Sequence, residues 1–162
     1  MATNRTQANF GKHMSISLAI VEDLDEVREG LMQFISMNPD FILQDTYKTA
    51  EEAVYEIPLK KPDIVIMDIN LPGMSGIECI KEIRNKVPKT QFMMFTVYEN
   101  EEKIFEALKA GASGYLLKNT GLPQMIEALK ELYNGGSPMS SNIARKVVNI
   151  FHENQKHNEP DY

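Results

Sequence analysis

The chain has 162 residues, of which 43% are hydrophobic, and a formal net charge of −6 at pH 7. These values predict one domain with a hydrophobic core and a short appendage, and the negative charge argues against nucleic-acid binding by this segment itself. No apolar run is long enough to cross a membrane, and residues 1–14 lack the apolar stretch of a secretory signal. Cys79 is the only cysteine. An internal disulfide is therefore excluded, and a cytoplasmic protein is expected.

Five short apolar runs are spaced along the chain, and a helical pattern follows each of them. The predicted strands span residues 16–21, 41–47, 64–67, 91–95 and 114–117. Alternating strands and helices are typical of βαβ units, whose crossover connections are right-handed. The sequence therefore predicts an α/β fold, a (βα)5 three-layer sandwich with a five-stranded parallel sheet.

Proline and glycine mark the predicted helix ends. The second helix is predicted to be closed by Pro58 and residues 60–62, the third by Pro88 and the fourth by Gly111. A further short amphipathic segment spans residues 140–151. Its apolar side consists of Ile143, Val147 and Ile150.

The two ends of the chain are polar and show no periodic pattern. Residues 1–14 are interpreted as a disordered tail or the remnant of a tag, and residues 153–162 as a disordered tail. Between them, the predicted domain covers residues 15–135, and a linker helix covers residues 136–152.

The third predicted strand ends at a carboxylate. Asp68 follows four apolar residues and precedes a loop rich in Gly and Pro at residues 71–76. Open α/β sheets place their ligands at the carboxyl ends of the strands. We therefore expect Asp68 to lie at a functional site.

Polar residues also follow other strands: Glu22 and Asp23 the first, Thr96 the fourth and Lys118 the fifth. Because the carboxyl ends of parallel strands share one edge of the sheet, we expect these side chains and Asp68 to share one cleft. Three carboxylates brought together repel one another, and a divalent cation with oxygen ligands, Mg²⁺, resolves this. Three acids, a lysine and a hydroxyl around a metal could stabilise a transferring phosphoryl group.

A structural role is the alternative for the first acidic pair. Asp23 and Glu26 have the spacing of a capping box, so Asp23 could cap the first helix instead of binding a metal.

The joint pattern resembles the receiver domain of two-component response regulators. The matching stretches are VED at residues 21–23, PDIVIMDINLPGMSG at residues 62–76, Thr96, and AGASGYLLK at residues 110–118. The resemblance covers about residues 15–135 and implies a flavodoxin-like sheet with the strand order 2-1-3-4-5. It also implies a signalling domain and not an enzyme with turnover.

The resemblance implies a role for each polar residue. Asp68 matches the phosphoacceptor, and Lys118 and Thr96 match the residues that contact the phosphoryl oxygens. Tyr115 matches the aromatic residue that swings inward when Thr96 moves. The metal ligands implied for Mg²⁺ are Glu22, Asp23, Asp68 and the backbone carbonyl of Asn70.

The implied partner is a sensor histidine kinase, whose phosphohistidine is attacked by Asp68 to give an acyl phosphate. The surface around the fourth and fifth strands then repacks. A homodimer formed on phosphorylation is a further expectation. No membrane partner is expected.

Residues 135–148 resemble the receiver-to-effector linker of the NarL/FixJ group of transcription regulators. Those proteins carry a C-terminal helix-turn-helix domain. We interpret the chain as the receiver of a DNA-binding regulator, with DNA bound only through a domain missing from this chain. The alternative is a stand-alone receiver that acts through protein contacts.

Two other classes use a similar arrangement. Haloacid-dehalogenase-like phosphohydrolases also have an Asp nucleophile after a central strand, but they need a second Asp where this chain has Asn70. A flavodoxin-like electron carrier needs a phosphate cradle rich in hydroxyl groups or Gly after the first strand, and the acidic residues 22–26 would repel phosphate there.

Overall fold

A computed structural model of the chain describes residues 14–156. Strands and helices alternate as the sequence predicts. The strands are β1 (Ile16–Val21), β2 (Phe41–Tyr47), β3 (Ile64–Met67), β4 (Gln91–Thr96) and β5 (Ala112–Leu117). The helices are α1 (Asp25–Ser36), α2 (Ala50–Lys60), α3 (Gly76–Ile83), α4 (Glu101–Ala110), α5 (Leu122–Tyr133) and α6 (Ser141–Lys156).

The five strands form one sheet in the order β2-β1-β3-β4-β5, and every neighbouring pair is parallel. The central strand β3 is buried at all four residues. Both faces of this strand are covered by other elements, and for that reason its sequence is a continuous apolar run and not an alternating one. The predicted flavodoxin-like α/β fold is confirmed.

Helices cover both faces of the sheet, so the molecule has three layers and two hydrophobic cores. On one side, Leu31 of α1 and Leu129 of α5 pack against Ile64 and Ile66 of β3. On the other side, residues of α2, α3 and α4 pack against Val65 and Met67 of the same strand. The alternation of side chains along β3 divides its residues between the two cores.

The predicted end of the third helix is wrong, and that of the second is right at residues 60–61 but wrong at Pro58. Pro58 lies inside α2, which continues to Lys60 and closes with Lys61 in the left-handed region. A proline there removes the backbone hydrogen bond from residue 58 to residue 54, and the helix ends only two residues later. Helix α3 ends at Ile83, before Pro88, and residues 84–87 continue as turns. The prediction for Gly111 is confirmed, because it caps α4 with φ 132°.

The fifth strand begins at Ala112, before the predicted start at residue 114. Gly111 takes the chain from α4 directly into extended backbone. Tyr115 therefore lies inside the strand, where its side chain is fully buried.

The last helix, α6, packs on α4. Pro138 O accepts a hydrogen bond of 2.9 Å from Tyr115 N, so the chain before α6 runs beside the edge strand β5. Ile143 is fully buried, and Val147 and Ile150 pack partly buried against the same core. The predicted apolar side of this segment is therefore its docked side.

Helix α6 extends to Lys156, so residues 153–156 are helical and not part of a disordered tail. Their polar side chains show only that this end is exposed, and a helix already docked by its first turns can continue through polar residues. The remaining predicted tail residues, 1–13 and 157–162, lie outside the described residues. Between residues 14 and 156, no helix is long and apolar enough to span a membrane.

Candidate functional site

Three acidic side chains converge at the carboxyl edge of the sheet. Carboxylate oxygens of Glu22, Asp23 and Asp68 all lie within 4.8 Å of one another. The backbone sets this arrangement, because Asp68 N donates to Val21 O at 3.1 Å and Glu22 N donates to Tyr47 O at 2.9 Å. The parallel ladder thus continues one residue past the strands and places the acids side by side.

Lys118 completes the cluster from the end of β5. Its Nζ atom lies 2.7 Å from Glu22 Oε1 and 2.8 Å from Asp68 Oδ2. Its backbone N donates to Thr96 O at 2.9 Å, which fixes the residue against the end of β4. The lysine side chain is 14% exposed, and Glu22 and Asp68 are almost fully buried. A single ammonium group therefore bridges two buried carboxylates.

Burial changes the proton affinity of these groups. Burial raises the pKa of Glu22 to about 7, and the hydrogen bond from Lys118 only partly opposes this, while the charge of Asp68 adds to it. Burial alone lowers the pKa of Lys118, but the hydrogen bonds to Asp68 and Glu22 outweigh that effect, and the net shift is upward. The lysine therefore stays protonated in the cluster.

The residues present fit a divalent metal ion. Glu22 Oε2 is buried and has no hydrogen-bond partner among the described residues. Leaving such an oxygen unpaired is unfavourable, and one lysine cannot neutralise three carboxylates. Oxygen ligands of this kind are those that Mg²⁺ prefers. The cluster of Glu22, Asp23 and Asp68 could therefore hold a metal ion, as the sequence predicts.

The capping alternative for Asp23 is wrong. The N-cap of α1 is Leu24, and no side chain makes a capping hydrogen bond there. The partly buried Asp23 side chain joins the acidic cluster instead.

Thr96 and Tyr115 are connected through a residue that the sequence did not indicate. Thr96 is fully buried, and its Oγ1 atom lies 3.5 Å from Tyr98 N. The Tyr115 hydroxyl donates to Tyr98 O at 2.7 Å. Burial raises the pKa of Tyr115. The Tyr115 side chain is fully buried, and its role as the aromatic switch residue stays a prediction.

The loop after Asp68 folds back tightly on the end of β3. Gly76 N donates to Ile69 O at 3.0 Å, and a Cβ atom on Gly76 would collide with the carbonyl oxygen of Asp68. Asn70 is exposed, with its backbone N 3.4 Å from Asp68 Oδ1. The role of the Asn70 carbonyl as a metal ligand stays a prediction.

Arg28 is a further residue at the site that the sequence did not indicate. It is only 5% exposed, and its guanidinium group donates to the backbone carbonyls of Glu22 and Asp23. Every residue has a backbone carbonyl group, so the identity of the partner residues does not indicate this contact. For that reason no sequence pattern could have revealed it.

Comparison with known proteins defines the class of this domain. The family model of the response regulator receiver domain matches residues 18–130. The chain therefore belongs to the response regulator receiver domain family, whose members are signalling domains.

Individual relatives agree with this assignment. LnrK, a transcriptional regulatory protein of Bacillus subtilis (strain 168), is 32% identical over 134 residues, which cover 83% of this chain and 61% of LnrK. NarL, the nitrate/nitrite response regulator of Escherichia coli (strain K12), is 29% identical over 145 residues, covering 90% of this chain and 67% of NarL. The chain spans 58–61% of the length of three curated relatives and corresponds to their receiver part.

A solved structure supports the fold. The two-component response regulator of the LuxR family from Aurantimonas sp. SI85-9A1 superposes with a TM-score of 0.77 at 30% sequence identity. The match covers 83% of this chain and 96% of that chain. The family assignment favours a receiver over the phosphohydrolase and the electron carrier.

Proposed function

We propose that this domain accepts a phosphoryl group on Asp68 from the phosphohistidine of a sensor histidine kinase. The observation that carries the proposal is the position of Lys118, whose ammonium group lies within 2.8 Å of both Asp68 and Glu22. A fixed cation beside a carboxylate nucleophile stabilises the charge on the phosphoryl oxygens during transfer.

In the transfer step, a carboxylate oxygen of Asp68 forms a bond to phosphorus while the bond between phosphorus and the imidazole nitrogen breaks. The electron pair of the broken bond stays on the imidazole nitrogen, and Asp68 becomes an acyl phosphate. The upward shift in the pKa of Lys118 keeps its charge available to the phosphoryl oxygens.

Glu22, Asp23 and Asp68 are the proposed ligands of Mg²⁺, with the backbone carbonyl of Asn70 as a further one. The unpaired Glu22 Oε2 and the proximity of the three carboxylates support this assignment. When bound, the ion neutralises the crowded acids and orients the phosphoryl group.

Thr96 is the proposed switch hydroxyl, which donates a hydrogen bond to a phosphoryl oxygen on Asp68. The backbone N–H group of Tyr98 contacts the Thr96 hydroxyl, and its carbonyl group accepts from the Tyr115 hydroxyl. The next carbonyl, Glu99 O, accepts a hydrogen bond of 2.6 Å from Lys146 of α6. These contacts connect Thr96 to α6 through residues 97–100. We therefore propose this loop as the two-state element that responds to a rotation of Thr96.

The proposed output is control of transcription through a helix-turn-helix domain outside this chain. Support comes from LnrK, which is a transcriptional regulatory protein, and from the linker-like residues 135–148. Dimerisation on phosphorylation stays a prediction.

A stand-alone receiver is the second candidate. The packing of α6 on α4 favours it, because the helix already has a partner in its own domain. The full reading frame decides, since a downstream helix-turn-helix segment is expected only under the first proposal.

The phosphoacceptor proposal is tested by incubating the protein with acetyl phosphate and Mg²⁺ and measuring its intact mass. We expect the wild-type protein to gain one phosphoryl group, and Asp68→Asn to gain none. Asp45→Asn changes an exposed aspartate of β2 and serves as the matched control that still gains the group. EDTA should abolish the gain. A phosphorylated Asp68→Asn protein would refute the proposal.

A further inference from the structure

Arg28 is a cation buried in the inner face of α1. Its side chain is 7% exposed, and it lies on the same helix as the buried Leu31 and Ile35. A buried guanidinium group is unfavourable unless its donors are paired. The position of its partners therefore indicates what the residue does.

The partners of Arg28 lie in the loop between β1 and α1 or at the first residue of α1. Nη1 donates to Glu22 O at 3.0 Å and to Asp23 O at 3.4 Å. Nη2 donates to the carboxylate of Asp25, which is itself 66% exposed. The two carbonyls thus belong to the residues whose side chains join the acidic cluster.

This loop has few other constraints. Glu22 N donates to Tyr47 O and Lys118 contacts the Glu22 carboxylate, but Leu24, the N-cap residue of α1, has no polar side-chain atom that could cap the helix. Lys118 offsets the charges of Glu22 and Asp68, but without a metal ion the Asp23 carboxylate is still repelled by the other two acids. This repulsion favours rotation of the Asp23 part of the loop away from the cluster. The guanidinium group of Arg28 opposes that rotation from the carbonyl side.

We infer that Arg28 is a positioning residue, whose guanidinium group holds the Glu22 and Asp23 backbone so that their carboxylates form a cation site before the ion binds. The inference rests on the proposed function. Arg28 does not touch the reacting atoms. Its effect is expected in the affinity for Mg²⁺, because residues that orient metal ligands typically contribute about 10- to 100-fold to affinity.

The conservative variant Arg28→Lys separates positioning from charge. A lysine keeps the positive charge beside Asp25, but a single ammonium group does not reproduce the planar fork that reaches two carbonyls. Arg28→Gln is a second variant that removes the charge and keeps one amide donor.

Arg84 supplies a matched control. Its Nη1 atom also donates to two consecutive backbone carbonyls, Lys109 O at 3.0 Å and Ala110 O at 2.9 Å. These carbonyls end α4 at the opposite edge of the sheet from the acidic cluster. Arg84→Lys therefore removes the same kind of contact without touching the site. Asp25→Asn removes the ionic partner that Arg28 shares with the exposed Lys48 and leaves the contacts of Arg28 with the two carbonyls in place.

The test is the affinity for Mg²⁺, measured by titration calorimetry without a phosphodonor, with urea unfolding in EDTA as a check of each variant. We expect Arg28→Lys and Arg28→Gln to bind Mg²⁺ about 10- to 100-fold more weakly, and Arg84→Lys and Asp25→Asn to bind like the wild type. At saturating Mg²⁺, phosphorylation of Arg28→Lys by acetyl phosphate should approach the wild-type rate.

Three results would overturn the inference. The first is unchanged Mg²⁺ affinity in both Arg28 variants, and the second is an equal loss in Arg84→Lys, which would indicate general destabilisation. The third is a rate that stays low at saturating Mg²⁺, which would place Arg28 in the transfer step. If the wild-type protein binds no Mg²⁺, the proposed function fails and the inference fails with it.

Discussion

The Nζ atom of Lys118 lies 2.8 Å from Oδ2 of Asp68, although the two residues follow strands that are not neighbours in the sheet. The same ammonium group contacts Glu22 at 2.7 Å. The ammonium group of Lys118, which follows β5, therefore meets carboxylates that follow β3 and β1, and it compensates two of the three acids. The proposed chemistry depends on this single cation.

Replacing Lys118 by Met should reduce the rate of phosphorylation from acetyl phosphate by about 100-fold, the usual effect of losing one group that stabilises the transition state. Intact mass measured over time gives the rate. Lys130→Met is the matched control, because Lys130 lies on α5, outside the cluster, and forms an ion pair of 3.0 Å with Asp40. A loss of less than about threefold in Lys118→Met would contradict this role.

The free energy of unfolding should depend on the ionisation of Glu22 when EDTA removes metal ions. The pKa of Glu22 is raised from 4.5 to about 7 in the folded protein. Between these pH values the folded state holds a proton that the unfolded state has lost, so the contribution of Glu22 to stability declines as the pH rises. Urea unfolding across this range should therefore show a steeper decline for the wild type than for Glu22→Gln. Parallel curves would show that the Glu22 carboxylate is not perturbed.

The docking of α6 should contribute measurably to stability. Ile143→Ala removes a fully buried side chain and is expected to lower the free energy of unfolding by about 2–5 kcal/mol. Val148→Ala, on the exposed side of the same helix, should change it by less than about 0.5 kcal/mol. Equal effects of the two variants in urea unfolding would mean that α6 is not docked in solution.

The hydroxyl of Tyr115 should hold the loop of residues 97–100 without taking part in phosphorylation. Tyr115→Phe loses the hydrogen bond to Tyr98 O and should cost about 1 kcal/mol of stability. Amide hydrogen exchange in residues 97–100 should become faster, while the phosphorylated fraction stays unchanged. Tyr55→Phe removes the same atom from an exposed tyrosine and should alter neither measurement. If amide exchange were unchanged in Tyr115→Phe, the Tyr115 hydroxyl would not be holding the loop.

The convergence of Glu22, Asp23, Asp68 and Lys118 was predictable from the sequence, because parallel strands bring their carboxyl ends to one edge. Only the type and order of the strands were needed for that prediction. The ends of elements were less predictable. Pro58 is tolerated in the last turn of α2, and the start of β5 depends on how Gly111 turns the chain.

The supporting residues could not be predicted, because each of their contacts involves backbone atoms on at least one side. Arg28 binds the carbonyls of Glu22 and Asp23, and Tyr98 links Thr96 to Tyr115 through its own N–H and carbonyl groups. Since every residue has a backbone carbonyl group, the residue type at these positions does not identify the partner. Sequence patterns reveal the side chains that converge, and the structure reveals the contacts that hold them in place.

The most direct test of the account is to locate the phosphoryl group itself. After incubation with acetyl phosphate and Mg²⁺, borohydride reduces an aspartyl phosphate to homoserine, and peptide mass spectrometry then shows which residue has changed. The account predicts homoserine at position 68 in the wild-type protein and at no position in the presence of EDTA. Homoserine at another aspartate, with residue 68 unmodified, would contradict it.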